Sequence, residues 1–113
     1  MSRPVLSTHV LDTSTGKPAA GLFIDLHKKN DSSWTLWHNT MTTTDGRALF
    51  PFSQESMAEG TYKLTYKVGD YYKMSDMETL YPHVEITFNT KDGQHYHIPL
   101  LLSPYGYTTY RGS

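Results

Sequence analysis

The final nineteen residues of this 113-residue chain gather two histidines, His95 and His97, four tyrosines, Arg111 and the free carboxylate of Ser113. Chain ends are ordinarily disordered unless something ties them down. Here Tyr110-Arg111-Gly112-Ser113 closes a well-furnished run from His95 to Pro104, so this end reads as folded into a site. Imidazole is the side chain whose charge changes between pH 5 and 8, and in its neutral form it suits proton transfer from water. Imidazoles also ligate metals: His95 and His97 fall on one face of a strand, and His9 offers a third. Histidines two residues apart are a low-specificity signal, however, and no Asp or Glu lies close in sequence to complete a familiar ligand pattern.

Strands must carry these groups. Tyr62, Leu64, Tyr66 and Val68 alternate with Lys63, Thr65 and Lys67, and Val84, Ile86 and Phe88 alternate with Glu85, Thr87 and Asn89. That period of two is a strand with one buried and one wet face. Shorter runs at Val5 to Leu11, Leu22 to His27, Trp34 to Met41 and His95 to Leu102 are separated by turn residues such as Asp45-Gly46, Gly69-Asp70 and Asp92-Gly93. One segment, Ser53 to Gly60, predicts about one and a half turns of helix, with Ser53 as N-cap and Gly60 as terminator. Six to eight short strands predict a single-domain antiparallel β-sandwich over residues 1–113. In the first strand Leu6, Thr8 and Val10 share one face, and Ser7, His9 and Leu11 the other. In the last long strand Tyr96, Ile98, Leu100 and Leu102 oppose His95, His97, Pro99 and Leu101. With the more apolar sets turned inward, His9 and His97 project from the outside beside Leu11, Pro99 and Leu101. An exposed face of that mixed kind marks a contact surface, and a second subunit covering it would enclose a polar pocket.

Composition narrows the partners. Ten basic and eleven acidic residues nearly cancel, and no Lys/Arg cluster exceeds Lys28-Lys29, so no nucleic-acid partner is expected. There is no cysteine, which excludes disulfides and thiolate chemistry. No stretch approaches the ~18 apolar residues of a membrane helix, and Met1 to Leu6 lacks the apolar core of a secretory signal. The expectation is a soluble cytoplasmic protein without a membrane partner. The peroxisome is the alternative, although Arg111-Gly112-Ser113 is not a Ser-Lys-Leu type ending.

Leu6 to Asp12, then Gly16 to Ala19, Thr44 to Arg47, Tyr81 to Ile86, His95 to Ser103 and the closing Tyr110 to Ser113 resemble the transthyretin-related 5-hydroxyisourate hydrolases. The terminal tetrapeptide is the specific part, because it marks these hydrolases and is absent from transthyretin proper, the carrier of the same fold. The resemblance implies an all-β, transthyretin-like (prealbumin-like) sandwich of two four-stranded sheets with one short helix. It also implies a homotetramer with its site at the dimer-dimer interface, a small-molecule substrate, and neither metal nor organic cofactor. The residues it implicates are His9, Arg47, His97 and Ser113 in catalysis, with His9, Arg47 and Tyr110 on the substrate. In that scheme a histidine activates water, Arg47 holds the substrate's oxygens and the developing oxyanion, and the Ser113 carboxylate orients a histidine or the water.

Each residue has a plainer reading. Arg47 follows a Gly-containing turn, where a solvated arginine is ordinary. His95 fits a supporting or interface role, and Tyr105, Tyr107 and Tyr110 could form an interface stripe, with ligand contact favoured only for Tyr110. His27, His38 and His83 are assigned to structure or surface, and Trp34 and Trp37 to sheet packing. Three functions therefore compete: a hydrolase, a transthyretin-like carrier of a small aromatic ligand, and a metal protein.

Overall fold

Alternation in sequence becomes alternation in burial. The computed structural model describes residues 5–53 and 55–113. In β1, Leu6–Asp12, every second residue from Leu6 is buried while Ser7, His9 and Leu11 stay partly open. The other strands among the described residues are β2 (Lys17–Pro18), β3 (Phe23–Asn30), β4 (Ser33–Met41), β5 (Arg47–Phe50), β6 (Gly60–Tyr66), β7 (Val84–Thr90), β8 (Tyr96–Ser103) and β9 (Gly106–Thr109). One sheet runs β4-β3-β6-β7; the other runs β5-β1-β8-β9, with the two-residue β2 clipped to the far end of β1. Between the sheets Leu6, Val10, Ile24, Leu26, Leu64, Leu100 and Leu102 are fully buried. Each such side chain contributes roughly 1.5–3 kcal/mol of transfer free energy. A hydrogen bond of 2.8 Å between Thr8 Oγ1 and the Tyr66 hydroxyl ties the layers across this core.

Among the described residues the sandwich is antiparallel except at one pair. β1 and β8 run parallel, in the register Ser7↔His97, His9↔Pro99 and Leu11↔Leu101. The alternation of each strand was legible in the sequence, but parallel pairing of the first long strand with the last depends on contacts some ninety residues apart. The short strands β2, β5 and β9 were likewise not anticipated; β5 and β9 have only four residues each, too few for a periodic signal.

The helix lies elsewhere than expected. Gln54, inside the predicted helix, lies outside the described residues; Glu55 and Ser56 form a turn, and Gly60 already opens β6. Met57 N–H donates to Ser53 C=O, while the Ser53 and Ser56 hydroxyls take the neighbouring backbone N–H groups. Serine side chains that satisfy their own backbone compete with helix nucleation, which is costly for so short a segment. The helix is α1, Val68–Lys73, at Gly69-Asp70 where a turn was expected; it buries Val68 and Tyr72. It is pinned to β1 by the buried Asp12 carboxylate, which accepts the Tyr71 hydroxyl at 2.9 Å and the Tyr72 hydroxyl at 3.2 Å. Burial first, then this carboxylate, pushes the Tyr71 phenol up to about 12. No helix among the described residues is long and apolar enough to cross a membrane.

Candidate active site

Directly paired residues of neighbouring strands place their side chains on the same face of a sheet. On the outer face of the β5-β1-β8-β9 sheet this rule builds two rungs. One contains Leu49, Ser7 and His97, continued by Gly112 of the C-terminal segment; the other contains Arg47, His9 and Pro99. The rungs are two residues apart along each strand, or about 7 Å. Residues separated by up to ninety positions in the chain therefore become neighbours.

A pocket of about 200 Å³ opens over the first rung, lined by Ser7, Thr8, Arg47, Leu49, His95, His97 and Ser113. Of the residues predicted from sequence, it brings together Arg47, His97 and Ser113, with His95 beside them. His97 is held at both ends. Its Nδ1 lies 2.8 Å from the Ser7 hydroxyl, and its backbone C=O accepts the Gly112 N–H at 2.8 Å. Burial first, then the Arg47 guanidinium, then His9 and His95, holds the His97 imidazole below its ordinary value of 6.5. Each of these effects disfavours a positive charge on the ring and so favours the neutral imidazole. His9 stands on the adjoining rung, and its Nε2–H donates to the Asp45 carbonyl at 3.0 Å. A carbonyl can only accept, so Nε2 carries a proton and Nδ1 is the ring nitrogen left for another partner.

The C-terminal segment is fastened over this site. The Arg111 guanidinium stacks 4.5 Å over the Tyr96 ring and donates through Nη2 to Gln94 Oε1 and the His95 carbonyl, both at 3.1 Å. Gly112 then lies flat on His97: a Cβ there would come within 2.7 Å of His97 Cδ2 and 3.0 Å of Pro99 Cγ. That contact explains why Pro99 is buried although it sits on the outer face.

Tyr110 does not join the pocket. It is 57% exposed and lines a larger, mostly apolar cavity of about 470 Å³ on the other side of the segment, with Arg111, Ile86, Phe88 and Tyr96. The smaller pocket is the better candidate because it gathers His95, His97, Arg47 and Ser113. His27, His38 and His83 lie away from it; His38 packs edge-on against Phe50 and Phe52. Among the described residues no group of three or more His, Cys, Asp or Glu is placed to hold a metal ion. Sequence reasoning missed Ser7. It shares the outer face with His9, but only the parallel register reveals that it meets His97.

A 5-hydroxyisourate hydrolase of Salmonella dublin is 42% identical over 110 residues, covering 96% of this chain and 81% of its own. The solved structure of the Klebsiella pneumoniae 5-hydroxyisourate hydrolase matches with a TM-score of 0.83 and 34% identity, over 96% of this chain and 98% of that one. Transthyretin from Sparus aurata superposes with a TM-score of 0.92 at 25% identity, covering 97% of both chains. Backbone shape thus fits hydrolase and transthyretin alike, while sequence favours the hydrolases. The HIUase/Transthyretin family model matches residues 6–112, and the chain belongs to that family.

Proposed function

We propose that this chain hydrolyses 5-hydroxyisourate, an intermediate of urate breakdown, to 2-oxo-4-hydroxy-4-carboxy-5-ureidoimidazoline. The observation that carries the reading is the convergence of His97, Arg47 and Ser113 in one pocket of a chain 42% identical to a 5-hydroxyisourate hydrolase. His97, kept neutral, takes a proton from water through Nε2 as the water oxygen bonds to the ring carbonyl carbon. Arg47 holds the substrate's oxygens and stabilises the oxyanion that forms. Collapse of that intermediate breaks the carbon–nitrogen bond. The proton on His97 passes to the departing ring nitrogen, and the new carboxylic acid releases its own proton to solvent. His9, whose Nε2 is held by the Asp45 carbonyl, serves through Nδ1 as the second imidazole on the substrate, and the Ser113 carboxylate orients water. Tyr110 reaches substrate in this reading only when a neighbouring subunit completes the site, which fits a homotetramer with its sites at the dimer-dimer interface.

The decisive experiment mixes freshly generated 5-hydroxyisourate with the protein and follows its absorbance. Decay faster than the spontaneous rate, undiminished by a chelator, is expected. The transthyretin fold likeness favours a second reading, a carrier that binds a small aromatic ligand without chemistry; unaccelerated decay together with tight binding of such a ligand would select it.

A further inference from the structure

Histidine acting through one ring nitrogen needs the other nitrogen held, because the partner of the second nitrogen sets both ring orientation and tautomer. Backbone carbonyls and carboxylates, the common partners, do this as fixed acceptors. His97 has neither at Nδ1. Its partner is the Ser7 hydroxyl at 2.8 Å, on the adjacent position of the parallel β1–β8 register. Both strands are fixed from beneath by buried neighbours, Leu6 and Thr8 on one and Tyr96 and Ile98 on the other. The Ser7 side chain therefore stands on a rigid element at the pocket wall, where a loose surface serine would have no such constraint.

From this juxtaposition we propose that Ser7 is a positioning residue for the hydrolysis, accepting a hydrogen bond from His97 Nδ1–H so that Nε2 faces the pocket without its proton. The inference rests on the hydrolase reading above. A hydroxyl suits the task because it still accepts from Nδ1–H after Nε2 has taken the proton of water. The ring is thus held by one bond through both halves of the reaction. Without it, a solvated imidazole prefers to carry its proton on Nε2, the wrong nitrogen for a base facing the pocket. The other titratable or charged groups facing His97 are Arg47 from β5, His9 from β1, His95 just before β8 and Ser113 from the C-terminal segment. A Ser7 substitution removes none of these groups.

Ser7→Thr and Ser7→Val form the test, being alike in shape and different in the hydroxyl. Threonine should keep wild-type kcat, whereas valine should lose roughly 10- to 100-fold in kcat with KM within about twofold, the signature of a misplaced reacting group. Histidine-labelled ¹⁵N spectra, recorded on the same proteins without substrate, should show His97 moving toward the Nε2–H tautomer in Ser7→Val alone. Equal losses for threonine and valine, or unchanged kcat and spectra in Ser7→Val, would overturn the proposal. If the wild type fails to accelerate decay while the spectra shift as stated, the hydrolase reading falls and the positioning of His97 by Ser7 stands.

Discussion

The charge state of His97 is decided by the residues around it. Burial and the neighbouring guanidinium of Arg47 act in the same direction, holding the imidazole below 6.5. A base with a lowered value stays competent in more acidic solution, so the acid limb of kcat/KM should fall below the ordinary histidine range. Removing the cation by Arg47→Gln should move the His97 midpoint upward, though not to 6.5, because burial, the larger cause, persists. An NMR titration of the His97 ring in both proteins measures this directly; an unchanged midpoint would remove Arg47 from the electrostatics of the site. The same shift has a consequence for stability. The unfolded chain takes up the proton at about 6.5, the folded chain only at lower pH. Between these values the unfolded state binds more protons, so stability falls as pH drops through that window and is regained as it rises.

Among the elements, the C-terminal segment depends most on one small residue. Gly112 pairs with His97 and leaves no room for a Cβ: the ring of His97 and the rigid ring of Pro99 occupy that space. Gly112→Ala should therefore displace either the imidazole or the segment carrying Ser113, and a shift near 1 Å at a reacting group costs about 10²-fold. The thermal midpoint should hardly change, since the segment lies outside the core; a thermal shift paralleling the lost activity would mark Gly112 as structural. How much of this was legible follows from range. Alternation within β1 and β8 assigned His9 and His97 to the outer face, because period-two burial is a local property. The terminal tetrapeptide reads in sequence as one wall of the site; of its residues Ser113 lines the pocket, while Tyr110 and Arg111 line the neighbouring cavity. The meeting of Ser7 with His97, and of Arg47 with His9, is a matter of register between distant strands, which no local pattern encodes. The helix was misplaced for a related reason: Val68 and Tyr72 bury one face against the sandwich, and that packing outweighs the turn propensity of Gly69-Asp70.

At the scale of the whole molecule, the pocket lies on an outer sheet face with Leu49 62% exposed at its rim and Tyr110 57% exposed beyond it. Guanidinium and imidazole act more strongly where water is excluded, since charge interactions weaken as the effective dielectric rises. A site on an uncovered face would therefore be poor at stabilising an oxyanion, and a second copy of the chain laid over it would improve it. For the proposed tetramer, light scattering should give four times the 12.9 kDa chain mass, about 52 kDa. Leu49→Glu places a charge where the covering subunit would sit, and should reduce both the mass and the activity. Because Leu49 also lines the pocket, dilution of the wild type is the independent check: specific activity should fall in step with the tetramer fraction. Smaller species that retain full activity per chain would show that each pocket works without cover, and would sink the intersubunit site.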